Sequence, residues 1–126
     1  MCIRDRYDVW CFKFNERCLG DYWNVPFWWN RLVEDEKFVI KLKERWNQLR
    51  TNVLSDNNLM TLIEEQYSFL NNETDIINKN FNTWKIFGIY IWPNSFIGNN
   101  YYEEIDFLKN WIKNRTQWLD ESINNL

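Results

Sequence analysis

Along most of the chain the apolar residues recur at helical spacing. Phe38, Leu42, Trp46 and Leu49 step by four, four and three, which places them on one helix face, while Lys41, Lys43, Glu44 and Gln48 fall on the other. Asp35 stands where a carboxylate can accept from the first unpaired amides, so a helix is expected from there to about Arg50. Before it, Phe27, Trp28, Trp29, Arg31 and Leu32 predict a short aromatic helix with Pro26 at its first position, where a missing N–H costs nothing. Ser55 caps a third pattern that starts at Asp56 and runs through Leu59, Leu62 or Ile63, Gln66 and Leu70. Asn71-Asn72 weakens it and Ile76 or Ile77, Phe81 and Trp84 resume it, as one kinked helix or two nearly collinear ones, with Gly88 as the stop. A last helix from about Tyr102 to Ser122 carries Ile105, Leu108, Ile112 and Leu119 on a common stripe, with Glu104, Lys109 and Lys113 outside it. Between these two, residues 85–100 hold Gly88, Pro93, Asn94, Gly98, Asn99 and Asn100, which predicts a loop wrapping the surface with Tyr90-Ile91-Trp92 turned inward.

The expected fold is therefore all-α: about four helices and one aromatic-rich loop over residues 25–126, preceded by an irregular segment over 1–24. No repeat, linker or second domain is visible. In 126 residues, 45% hydrophobic and 19% aromatic side chains suffice for one core. A net charge of -3 lacks the electrostatic footprint of a nucleic-acid binder, so no nucleic-acid partner is expected. The absence of histidine excludes hydrolase triads, Cys-His units and imidazole metal sites within this sequence. Three isolated glycines, Gly20, Gly88 and Gly98, cannot build a phosphate-cradling loop.

No membrane span is expected, since the apolar run Ile86 to Trp92 is broken by Gly88 and falls far short of the roughly 18 residues a span requires. The charged opening Met1 to Arg6 is wrong for an export signal. Cys2, Cys11 and Cys18 form no C-x-x-C pair, so no metal ligand set is expected. A Cys11–Cys18 disulfide loop and free thiols both remain open.

Nine tryptophans suggest a sugar-stacking platform, but Trp46 lies in its helix's apolar stripe and Trp29, Trp84, Trp111 and Trp118 lie in or beside theirs, which points to packing. Trp92, beside Pro93 in the loop, stays a candidate ligand contact. The acidic groups Asp35-Glu36, Glu64-Glu65 and Glu103-Glu104 with Asp106 sit at helix starts or among polar neighbours, where general acid-base work has no shifted pKa to use. Arg31, Arg45, Arg50 and Arg115 lie beside aromatics, as ion-pair or cation-π residues; phosphate ligation is the alternative role, with Arg31 and Arg45 foremost.

Several strings together carry a resemblance. Val25-Pro26-Phe27-Trp28-Trp29-Asn30-Arg31-Leu32, Arg45-Trp46 with Leu49-Arg50, Asn80-Phe81 with Trp84, Trp92-Pro93-Asn94, and Tyr102 with Glu104-Ile105, Leu108-Lys109, Trp111, Arg115 and Trp118-Leu119-Asp120 resemble, in order and spacing, the C-terminal part of the CotH kinase family. The likeness spans about residues 10–122. It implies an atypical, kinase-like fold that binds ATP with magnesium and phosphorylates spore coat or extracellular, cell-surface proteins. It also implies that the nucleotide and metal residues, including an acidic Trp-Asp-Phe type motif, lie upstream of the aromatic helix. Trp10-Cys11-Phe12 has cysteine where that motif needs aspartate, so no catalytic residue, metal ligand or cofactor contact is carried over. Met1 to Arg6 fits no part of the family and reads as a foreign start on a truncated gene. The expectation is a structural C-terminal segment whose partner is the catalytic half, inactive alone. The rival is a free-standing helical module gripping carbohydrate or protein through exposed aromatics.

Overall fold

The computed structural model describes residues 6–20, 22, 24–73 and 75–126. Six α-helices are found among them: α1 (Phe14–Arg17), α2 (Phe27–Val33), α3 (Glu36–Arg50), α4 (Asp56–Ser68), α5 (Ile76–Thr83) and α6 (Tyr101–Asn124). A 3-10 turn (Cys11–Lys13) precedes α1 and a π-helical turn (Phe69–Glu73) follows α4. No strand occurs among the described residues, so the all-α expectation holds.

The helix starts follow local side-chain chemistry. Asp35 accepts from the Lys37 amide at 2.9 Å and Ser55 from the Asn58 amide at 3.3 Å, each satisfying a donor that the first turn leaves open. Pro26 sits one residue earlier than expected: it is extended, with ψ 136°, and its carbonyl receives the Trp29 amide, so Phe27 opens α2. The segment before α2 is not wholly irregular. Besides its two short helical turns, the Asn15 side chain brackets Val25, donating to its carbonyl at 3.0 Å and accepting from its amide at 2.9 Å.

The interruption around Asn71-Asn72 is the π-helical turn, and Asp75, in the left-handed region at φ 49°, separates it from α5. Gly88 is not the stop. The helix ends at Thr83, five residues sooner, because Trp84 turns extended with ψ 91°. Gly88, at φ 73°, serves the loop instead, its amide closing onto the Gly98 carbonyl at 2.9 Å.

The chain divides into two compact units, residues 1–51 with 114–126 and residues 52–113. In the first, Val9, Cys18, Val39 and Ile123 are buried, and Trp10 meets Trp118 edge-on at 4.9 Å. Phe38, Leu42, Trp46 and Leu49 are half-buried, as their common stripe predicts. In the second, Ile105 is buried and half-buried rings pack on one another: Phe81 lies 4.2 Å from Phe87 and 5.7 Å from Tyr101, Tyr101 stacks on Tyr67 at 5.8 Å, and Phe96 stacks on the more exposed Phe107 at 4.3 Å. Burial and the neighbouring Tyr67 raise the Tyr101 phenol above its ordinary pKa.

Three expectations of burial fail. The loop rings do not turn inward: Tyr90 is 57% and Trp92 69% exposed. Trp84, assigned to packing, is also exposed, and Leu108 leaves the α6 stripe, which continues instead through Ile112, Thr116, Leu119 and Ile123. The Cys11–Cys18 loop does not form: Cys18 is disulfide-bonded, whereas Cys11 is a free, exposed thiol, so the free-thiol reading holds for Cys11 and not for Cys18.

Candidate functional site

The three residues that sequence singles out for binding lie on separate elements. Arg31 on α2 is exposed and pairs with Glu34 one turn on, at 3.2 Å. Arg45 on α3 donates to Gln48 at 2.6 Å, also along its own helix. Trp92 belongs to the loop before α6, in the other unit, with its ring in solvent and the Trp92–Pro93 peptide cis. Arg31 and Arg45 share no partner, and neither contact is the stacking that their aromatic neighbours suggested.

A different set converges. Asp120, late in α6, accepts the Trp46 ring N–H at 2.8 Å and is gripped by Arg50, whose Nε donates at 2.9 and 3.1 Å and whose Nη2 donates at 3.0 Å. This two-toothed guanidinium–carboxylate geometry fixes direction as well as distance. Arg50 is largely covered, its side chain 16% exposed, whereas Asp120 is 37% exposed. One turn earlier, Arg115 donates through Nη1 to the Tyr7 and Val9 carbonyls at 2.7 and 2.8 Å and lies 4.8 Å over the Trp118 ring. Burial pulls the Arg115 pKa down, against the opposing pull of Cys11 and Asp8.

In the second unit the acidic start of α6 holds the loop. Asn100 accepts the Glu103 amide at 3.0 Å, and the Glu103 carboxylate reaches back to the Asn99 amide at 2.9 Å and to the side-chain amides of Asn99 and Asn100. This is a capping box displaced by one residue, and N-x-x-E at 100–103 was its sequence signal. The Asn99 amide, before the side-chain amides, holds Glu103 below the usual carboxylate range. Glu104 turns inward rather than outward, accepting the Gly98 amide at 2.8 Å. Glu64 pairs with Lys109, whose ammonium is stabilised by that carboxylate.

Magnesium needs several oxygen ligands around one point. No group of three or more acidic or cysteine side chains able to hold a metal occurs among the described residues. No described helix is long and apolar enough to cross a membrane.

The first unit also contains a groove of about 390 Å³, walled by the rings of Trp10, Phe12, Trp29 and Phe38, with Cys11 and Arg115 among its polar members.

A family model described as CotH kinase protein matches residues 4–119. Comparison with curated proteins and with solved structures returns no match.

Proposed function

Since the chain belongs to the CotH kinase family, we propose that these helices are the supporting, C-terminal part of a CotH-type kinase, with nucleotide and metal held elsewhere in the domain. The parent reaction under this reading is magnesium- and ATP-dependent phosphorylation of coat or extracellular proteins. The observation that carries it is the use made of charged side chains. Asp120 is taken by Arg50 and Trp46, Glu103 by Asn99 and Asn100, Glu104 by Gly98, Glu64 by Lys109, and Arg115 by two carbonyls. Phosphoryl transfer needs carboxylates and cations aimed together at metal and phosphates. Here they are spent on fixing helices and a loop, which supports a scaffolding role.

Calorimetry with magnesium-ATP is expected to register no binding heat for these 126 residues. A longer polypeptide that also carries the family's acidic motif is expected to bind nucleotide and to phosphorylate itself or a coat-type protein. Micromolar nucleotide affinity in the 126 residues alone would overturn the proposal, and Arg31 and Arg45 would be the first ligands to replace.

The second reading is a binding module that uses exposed aromatics. It is favoured by the outward rings of Trp84, Tyr90 and Trp92. Its test is a screen of soluble oligosaccharides by tryptophan fluorescence, with Trp92→Ala expected to abolish any saturable change.

A further inference from the structure

The groove in the first unit combines three properties. Its volume of about 390 Å³ falls within the range of small-molecule sites. Its walls are mainly apolar and aromatic, contributed by the 3-10 turn, α2 and α3. Its cationic member, Arg115, is half-buried and differs from Arg6, Arg31 and Arg50 in what it faces. Arg6, Arg31 and Arg50 each meet a carboxylate, at 2.8, 3.2 and 2.9 Å. Among the described residues, Arg115 donates to two neutral carbonyls and stacks on an indole. The Asp8 carboxylate near it is occupied in both oxygens by Arg6.

A cation withdrawn from water without an anion bonded to it is costly, and an incoming carboxylate lowers that cost more in such a setting than at the surface. Apolar walls at the same place favour a hydrocarbon or aromatic body. We propose that this groove binds a small amphiphilic monocarboxylate, its apolar body among the rings of Trp10, Phe12, Trp29 and Phe38 and its carboxylate on the Arg115 guanidinium. The proposal does not depend on the kinase reading.

The probe is decanoate, with decanol as its uncharged counterpart, titrated into the 126-residue chain and followed by the indole N–H signals of its tryptophans in two-dimensional NMR. Saturable shifts are expected at Trp10 and Trp29, with Trp84 and Trp92 unmoved. Decanoate should bind about ten-fold more tightly than decanol, the factor that one charge-assisted hydrogen bond supplies. Leu32→Trp, which narrows the groove from α2, should abolish both titrations while leaving the helical circular dichroism unchanged. Arg115→Gln should equalise decanoate and decanol. Because that variant also weakens the Tyr7 and Val9 contacts, the decanoate–decanol comparison on the unaltered chain decides if it does not fold. Equal affinities for acid and alcohol, no saturable shift at millimolar decanoate, or concentration-dependent loss of the Trp10 and Trp29 signals through self-association would each overturn the proposal.

Discussion

Asp120 ties α6 to α3 within the first unit. It answers an indole and a guanidinium from α3 that lie 74 and 70 positions away in sequence. Replacing it by alanine removes this two-toothed pairing from the covered Arg50, expected to cost about 2–3 kcal/mol, a figure reduced because the carboxylate itself is partly solvated. Trp46→Phe keeps an aromatic ring, smaller than the indole, and removes the N–H donor, and should cost about 1–2 kcal/mol. Urea melts of both variants check the order; equal losses would mean that packing of the indole, not its hydrogen bond, matters. None of this partnership was legible in the sequence. Arg50 and Arg115 read correctly as residues that bridge through charge or stacking, because a guanidinium beside aromatics has few other uses. Their hydrogen-bond partners, Asp120 for Arg50 and the Tyr7 and Val9 carbonyls for Arg115, are non-local, and no spacing rule reports them; only the Trp118 ring lies within one turn of Arg115.

At the level of helices, local rules worked where both partners of a contact lie within one turn. Asp35 and Ser55 cap where expected, and α3 ends at Arg50 as its stripe predicts. The rules failed where competing local signals had to be ranked, as when Trp84 left the helix before Gly88 was reached. They failed again where burial depends on distant coverage, as for Leu108 and the loop rings. The start of α6 gives a pH test. Folding lowers the Glu103 pKa, so its contribution to holding the loop is complete above the ordinary glutamate range and is lost as pH falls through the depressed folded value. The Asn99 amide resonance, titrated by NMR, should therefore move with a midpoint below that of an ordinary glutamate. A midpoint at or above the ordinary value would remove the Asn99 amide as the anchor.

Across the molecule, few large side chains are well covered. No large side chain among the described residues is fully buried, and the exposed set includes Phe27, Trp28, Trp84, Tyr90 and Trp92. Exposed aromatics close to one another in sequence, as Phe27 with Trp28 and Tyr90 with Trp92 are, favour association. The chain is expected to bind an apolar reporter dye and to associate as its concentration rises, measured by sedimentation. A dye-silent monomer at high concentration would argue that the second unit's core is self-sufficient and against a supporting role within a larger kinase.

The division of the chain also has a bearing on the order of events during synthesis. One unit is a single stretch, residues 52–113, and the other is assembled from two stretches, 1–51 and 114–126, that the first separates. A growing polypeptide therefore holds every residue of the inserted unit while the surrounding one still lacks Arg115, Trp118 and Asp120. Until those residues emerge, the Asp120 carboxylate that Arg50 and the Trp46 indole share is not yet in place, and closing so long a loop is slow relative to helix formation. Nascent chains halted at Lys113 should already protect the amides of α4 while α3 still exchanges freely, which makes α6 the element whose arrival completes the outer unit.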